Sequence, residues 1–292
     1  MLHAWWQRRT ARRMGRRLAA RRSGAPPSFP ELTSQTCTVE QMRTPEYLAW
    51  CDRLVCPNET QHRKAWEYCY IMQAVKEQIG LHEGLRALGF GVGRERLAEA
   101  FASFGCEVLA TDQAADDARA EGWTRTNQYI ETIAELNRLN ICEPEAFRER
   151  VSFREVDMND IPGDLQGFDI VWSACAFEHL GSIEHGKRFV LRAMDCLKPG
   201  GVAVHTTEFN LSSDDETVDH QGTVLFRRRD LEDLAERLRA RGDRMLPLNT
   251  HPGSDPVDHF VDVPPYKPQP HLRLLIEGHA ATSVGIIIRR GD

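Results

Sequence analysis

Three short segments carry side chains suited to holding a nucleoside. Gly89, Gly91 and Gly93 alternate with Phe90 and Val92, and glycines so spaced let a backbone turn sharply and bring its amides against a ligand. Asp112 stands 23 residues after Gly89, where a carboxylate can accept two hydrogen bonds from a ribose diol. Asp157 and Met158 pair an acceptor for an adenine amino group with a thioether able to lie against the ring. Each aspartate alone is a common turn or cap residue; together with the glycine turn they form a far rarer pattern. The turn is not the dinucleotide fingerprint, because Arg94 stands where GxGxxG requires glycine. A second group could move a proton: Glu178, His179, His205 and Glu208. His179 is the first candidate for a base and His205 the second. The same four residues offer mixed nitrogen and oxygen donors that could hold a divalent ion orienting a diol. Asp219 and His220 fall in the polar loop 208–222, which could wall an acceptor pocket.

To converge, these residues must stand at the ends of neighbouring strands. Apolar runs predict strands at 85–88, 106–111, 151–156, 168–173 and 202–207, each followed by a turn. Helical periodicity predicts helices over 94–104, 127–147, 184–197 and 229–241, with Lys198, Pro199, Gly200 and Gly201 as a turn before the fifth strand. Such alternation means a parallel sheet with helices on both faces. Ligands in such sheets bind outside the carboxyl ends of the strands, where the three nucleoside-holding segments should meet. Two final strands, 272–277 and 283–289, close the chain. Residues 40–80 read as helical, a preface that packs on the domain, covers a pocket, or does both. The expected divisions are 1–30, a basic arm and linker; 31–83, the helical preface; and 84–292, the sheet domain.

The 292 residues are 41% hydrophobic and 27% charged, enough for a globular core. No apolar run approaches the roughly 18 residues of a spanning helix. The net charge of −6 hides an asymmetry: eight arginines give residues 1–22 a charge of +8, leaving −14 on the rest. An acidic body argues against nucleic acid as the partner of the main surface. For the basic arm three readings stay open: a disordered tail, a segment docking on anionic lipid through arginine and tryptophan, and an organelle transit peptide. Eight cysteines without a CxxC pair suit reduced thiols in the cytosol better than a disulfide framework or a zinc knuckle.

Taken together, segments 88–93, 108–112, 156–158, 168–173, 177–180 and 197–201 resemble the class I S-adenosylmethionine-dependent methyltransferases. The resemblance covers residues 85–207. It implies a Rossmann-like, doubly wound, mostly parallel sheet of seven strands with a reversed C-terminal hairpin. It implies S-adenosylmethionine as cofactor, with Gly89, Phe90, Gly91 and Gly93 around its methionine part and Asp112 with Gln113 at the ribose. Asp157 and Met158 would meet the adenine, with Ser173 and Ala174 also on the cofactor. One position departs. The family usually has an acid two residues before the first glycine, and here that residue is Ala87, so its contacts must be absent or supplied elsewhere. Some quinone-pathway members carry an E-x-x-E-H metal cluster; here Cys175 takes the first position, so only Glu178 and His179 match.

Loops 208–222 and 246–271, rich in hydrogen-bonding side chains, suit a polyhydroxylated acceptor. The preface and segment 222–227 also resemble bacterial methyltransferases of surface-polysaccharide synthesis. The expected activity is therefore O-methylation of a sugar, glycan precursor or other small polar acceptor in the cytoplasm, where an arm that docks on lipid would tether the enzyme at a membrane surface. A nicotinamide-dependent oxidoreductase would use the same glycine turn and Asp112 but leaves Asp157, Met158 and segments 177–180 and 198–201 unexplained. A catalytically inactive cofactor-binding module is the other alternative, and Ala87 favours it.

Overall fold

The computed structural model describes residues 2–20, 24–56, 61–114 and 133–292. Its strands are β1 (Ser34–Thr36), β2 (Arg86–Phe90), β3 (Glu107–Asp112), β4 (Val151–Glu155), β5 (Phe168–Ala174), β6 (Leu197–Asn210), β7 (Arg273–Ile276) and β8 (His279–Arg289). From one edge the order is β4, β3, β2, β5, β6, β8. The first five run parallel; β8 runs antiparallel to β6, from Ala281 opposite Asn210 to Arg289 opposite Val202. Beyond β8, β7 and β1 share its outer edge. Three two-residue pieces, Arg244–Met245, Leu248–Asn249 and Val261–Asp262, complete a sheet of eleven strands where seven were expected. The addition has a simple cause: β8 is 11 residues long, and a bare edge of that length would leave a row of unpaired backbone groups.

The helices are α1 (Leu2–Ala20), α2 (Val39–Met42), α3 (Pro45–Arg53), α4 (Arg63–Ile79), α5 (Leu97–Ser103), α6 (Pro144–Arg150), α7 (Ile183–Ala193) and α8 (Arg228–Ala240). Two apolar cores lie on opposite faces of the sheet, one around Trp66, Tyr70, Phe101 and Trp172, the other around Phe177, Phe189, Leu231 and Leu234. The helical preface belongs to the first. In α4, His62 Nδ1 accepts from the Lys64 amide at 3.1 Å and caps the start, Trp66 stacks on Tyr70, and Gly80 at φ 79° stops the helix. The Tyr70 ring lies flat on β8: a Cβ on Gly285 would stand 2.1 Å from it.

Two expected elements differ. Residues 127–132 lie outside the described residues. The remainder of the expected 127–147 helix is a short 3-10 turn at Ile133–Asn137 and then α6, because Asn140 takes a left-handed φ of 54° and Pro144 starts a new helix. The expected turn at 198–201 is instead a bulge inside β6, where the register against β5 jumps from Phe168–Leu197 to Ile170–Val202 around Gly200 at φ 74°. Over Leu2–Ala20 the N-terminal arm is α1, a helix held on the body by buried Ala11 and Leu18.

Candidate active site

The glycine turn leaves β2 in a conformation that side chains resist. Gly91 and Gly93 have φ of 59° and 45°, in the left-handed region that glycine enters freely. A Cβ on Gly91 would lie 2.8 Å from Ala176 Cβ and 3.2 Å from Met158 Sδ, so the loop presses onto the segments following β4 and β5. Asp112 ends β3: its Oδ2 accepts from the Gly93 amide at 3.0 Å and its Oδ1 from the Gln113 amide at 2.8 Å. Burial pushes its pKa up and these two bonds oppose the rise. A carboxylate has about four lone-pair positions, so each oxygen keeps one for a ligand. Asp157 follows β4, and its Oδ1 accepts from the Asn159 amide at 2.8 Å.

These tips enclose a cavity of about 360 Å³. Gly91, Gly93, Asp112, Gln113, Asp157, Met158 and Ala174 line it, and so does His179. Other expected residues stand outside the lining. Gly89 is covered by Trp172, whose ring would lie 2.3 Å from a Cβ at that position. Phe90 is buried edge-on against Phe189. Ser173 is also buried, its Oγ 2.8 Å from His205 Nδ1.

His205 is the main correction. Residues alternate faces along a strand; Ala203 belongs to the α7–α8 core and Val204 to the α4 core. His205 shares the face of Ala203, between Phe177 and Phe189 with ring centroids 6.1 and 5.6 Å away. Burial drives its pKa down to about 3 and keeps it neutral. It cannot meet an acceptor in the cavity. His179, by contrast, ends the 3-10 turn Phe177–His179, and its Nδ1 lies 3.0 Å from the Gly222 carbonyl. A carbonyl only accepts, so Nδ1 carries the hydrogen and the basic lone pair is on Nε2.

Behind the cavity wall lies a buried charged group. Arg63 Nη2 meets Glu208 Oε1 at 2.5 Å, Arg63 Nη1 meets Glu67 Oε1 at 3.2 Å, and Lys64 Nζ meets Glu67 Oε2 at 3.1 Å. Glu178 Oε2 accepts from Thr207 Oγ1 at 3.1 Å. Burial raises the pKa of Glu208, against the pull of Arg63. Donor atoms of Cys175, Glu178 and Glu208 fall within 4.8 Å of one another. The four donors that the sequence offered for a metal are therefore not brought together: His205 faces the other core, and Cys175 stands in the cluster. The Arg63 guanidinium already supplies the positive charge that Glu208 requires.

Two further lining residues escape the sequence reading. Glu95 is buried in the wall, where Trp172 Nε1 donates to its Oε1 at 2.5 Å, and burial pushes its pKa up to about 8. Its position two residues beyond Gly93, in a chain with Ala87 in place of an acid, was the available signal. Lys64 reaches the cavity from α4, and nothing local in the preface marks it.

Residues 88–205 match the family described as methyltransferase domain. Comparison with curated proteins finds no match. Among solved structures, the chain is similar to phosphoethanolamine N-methyltransferase 2 of Haemonchus contortus in complex with S-adenosyl-L-methionine, at 14% identity and a TM-score of 0.47. That alignment covers 86% of this chain and 61% of the other, so the chain spans less than two thirds of that relative's length. It is also similar to magnesium protoporphyrin IX methyltransferase from Synechocystis PCC 6803 with bound SAH, at 10% identity and a TM-score of 0.47, covering 81% and 87% of the two chains. The family match covers residues 88–205, the stretch that carries the strands whose tips form the cavity, and that stretch is similar to a methyltransferase domain.

Proposed function

We propose that this enzyme transfers the methyl group of S-adenosylmethionine to a hydroxyl of a small polar acceptor, a sugar or glycan precursor. The observation that carries the reading is a single cavity with the glycine turn, Asp112 and Asp157 on one side and His179 on the other. The donor set suits the cofactor. Asp112 keeps an acceptor position on each oxygen for the ribose hydroxyls. Asp157 and Met158 serve the adenine. Glu95, a buried carboxylate beside the glycine turn, supplies the partner for the cofactor's amine that Ala87 cannot.

When bound, the cofactor supplies an electrophilic methyl group. The protein's share is to hold the acceptor oxygen in line with it and to take that oxygen's proton. His179 Nε2 is the acceptor for the proton, and the Gly222 carbonyl on Nδ1–H steadies the imidazolium that results. The Arg63, Glu67 and Glu208 group orients hydroxyls from behind Cys175, the residue it touches through Glu67 Oε1 at 3.1 Å. Tyr266 and His271, from segment 246–271, pack together on that side at 5.6 Å between centroids. We place the reaction in the cytoplasm, on an acceptor carried near a membrane.

Isothermal titration with S-adenosylmethionine, S-adenosylhomocysteine and NAD(H) tests the cofactor. Binding of both sulfur compounds with NAD(H) silent is expected; silence from the sulfur compounds overturns the proposal. Turnover then tests the acceptor, and methylation confined to amines removes the hydroxyl reading.

A further inference from the structure

Helix α1 uses one narrow stripe to hold the body. Ala11 and Leu18 are buried, and Gly15 lies so close to the His259 carbonyl that a Cβ there would stand 2.2 Å from its oxygen. At 3.6 residues per turn, positions 5, 6, 9, 12, 13, 16 and 17 fall away from that stripe, and position 8 flanks its edge. They are two tryptophans and six arginines, with no acidic residue anywhere in the helix. All six arginines are exposed, and Trp5 and Trp6 are 57% and 56% exposed. Arg9 lies 5.2 Å over the Trp5 ring.

The segment receiving α1 extends the same character. Phe260 is an exposed aromatic, Lys267 lies 5.0 Å over its ring, and Arg8 and Arg12 border the same groove as Phe260 and Lys267. A face needed only for solubility would not set paired indoles among guanidinium groups.

We infer that the outer face of α1, with Phe260 and Lys267, is a docking surface for an anionic lipid bilayer. The arginines meet lipid phosphates, while the indoles and Phe260 enter the interfacial layer where amphipathic rings settle. Charge complementarity requires an anionic partner, and the exposed aromatic rings select a bilayer over a duplex nucleic acid, whose phosphates would engage the arginines and leave the indoles in water. This surface is distinct from the methyl-transfer cavity and holds whether or not the acceptor assignment does.

The test is cosedimentation of the full-length protein with phosphatidylcholine vesicles, with and without phosphatidylglycerol. Binding to the anionic vesicles alone is expected, weakening as salt rises. The Arg9→Glu, Arg13→Glu double variant should bind them about tenfold less or weaker still. Trp5→Ala with Trp6→Ala should weaken binding and remove quenching of tryptophan fluorescence by acyl-brominated lipid. All four side chains are exposed, so an unchanged circular dichroism spectrum and melting temperature exclude misfolding. Equal binding to both vesicle types overturns the inference. So does anionic-vesicle binding unaffected by both variants. Duplex DNA that displaces the protein while the tryptophan variant keeps full vesicle binding and quenching would make the face a general polyanion site, also against the inference. Release by soluble glycerol phosphate would assign the arginines to a free phosphate ligand instead.

Discussion

Asp112 spends one acceptor position of each oxygen on a backbone amide and offers the rest to the cavity. Replacing it with alanine leaves those amides and a ligand's hydroxyls without a partner, which costs about 1–3 kcal/mol for buried polar groups. Asp112→Ala should therefore weaken S-adenosylhomocysteine binding by that amount in a calorimetric titration, and an unaltered dissociation constant would misplace the ribose. Glu95 makes a narrower claim. Glu95→Gln retains an acceptor for Trp172 but removes the carboxyl that an arriving ammonium would ionise and pair with. Affinity for S-adenosylhomocysteine should fall about tenfold or more, the scale of one charged hydrogen bond, while 5′-methylthioadenosine, which lacks the amine, binds as before. Equal losses for both compounds would make Glu95 merely structural. Asp112 was readable because it ends a strand predicted from its own residues. Glu95 was hinted at only by Ala87, since what buries it is Trp172 from another strand.

The elements explain which of the sequence's candidates could meet. Strand ends are local events, so the tips of β2, β3 and β4 were legible, and the parallel order that makes them neighbours followed from β–α alternation. The parity of β6 separates His205 from His179. That parity was present in the sequence, with Ala203, His205 and Thr207 on one face, but which core each face meets depended on where α7 and α4 dock. The α4 helix reaches the site because Tyr70 lies directly on Gly285. A methyl group placed there has no room, and overpacking typically costs about 1–3 kcal/mol. Gly285→Ala should lower denaturant stability by that amount, and it should also weaken cofactor binding, because Lys64 rides on the displaced helix. A variant as stable as the parent would mean that α4 does not press on the sheet.

At the scale of the molecule, several buried acids hold protons that an unfolded chain would release. Glu95 titrates near 8, and Glu99 and Asp258 near 7, all raised by burial. Their contribution is complete below the ordinary carboxyl values and is lost as pH rises through about 7 to 8. His62 and His205 act oppositely, lowered by burial to about 4 and 3; their contribution is present above 6.5, the ordinary value, and lost as pH falls. Between pH 6.5 and 8 the carboxyls therefore dominate. The melting temperature of the cofactor-free protein should decline across that window, with a shallower decline in Glu95→Gln. A flat or rising profile would contradict these burial assignments. Among the described residues no helix is long and apolar enough to cross a membrane, so α1 can meet a bilayer only along its surface.

The sequence by itself determined the strand tips, the glycine turn, the sheet class and the basic charge of the first 22 residues, because each rests on composition, periodicity or spacing within a few residues. Only the tertiary structure decided that His205 is sealed in a core, that Arg63 stands against Glu208, that Glu95 lies under Trp172, and that α1 presents its tryptophans outward. Those outcomes depend on which element packs on which face, a question of long-range burial and excluded volume that no local pattern encodes.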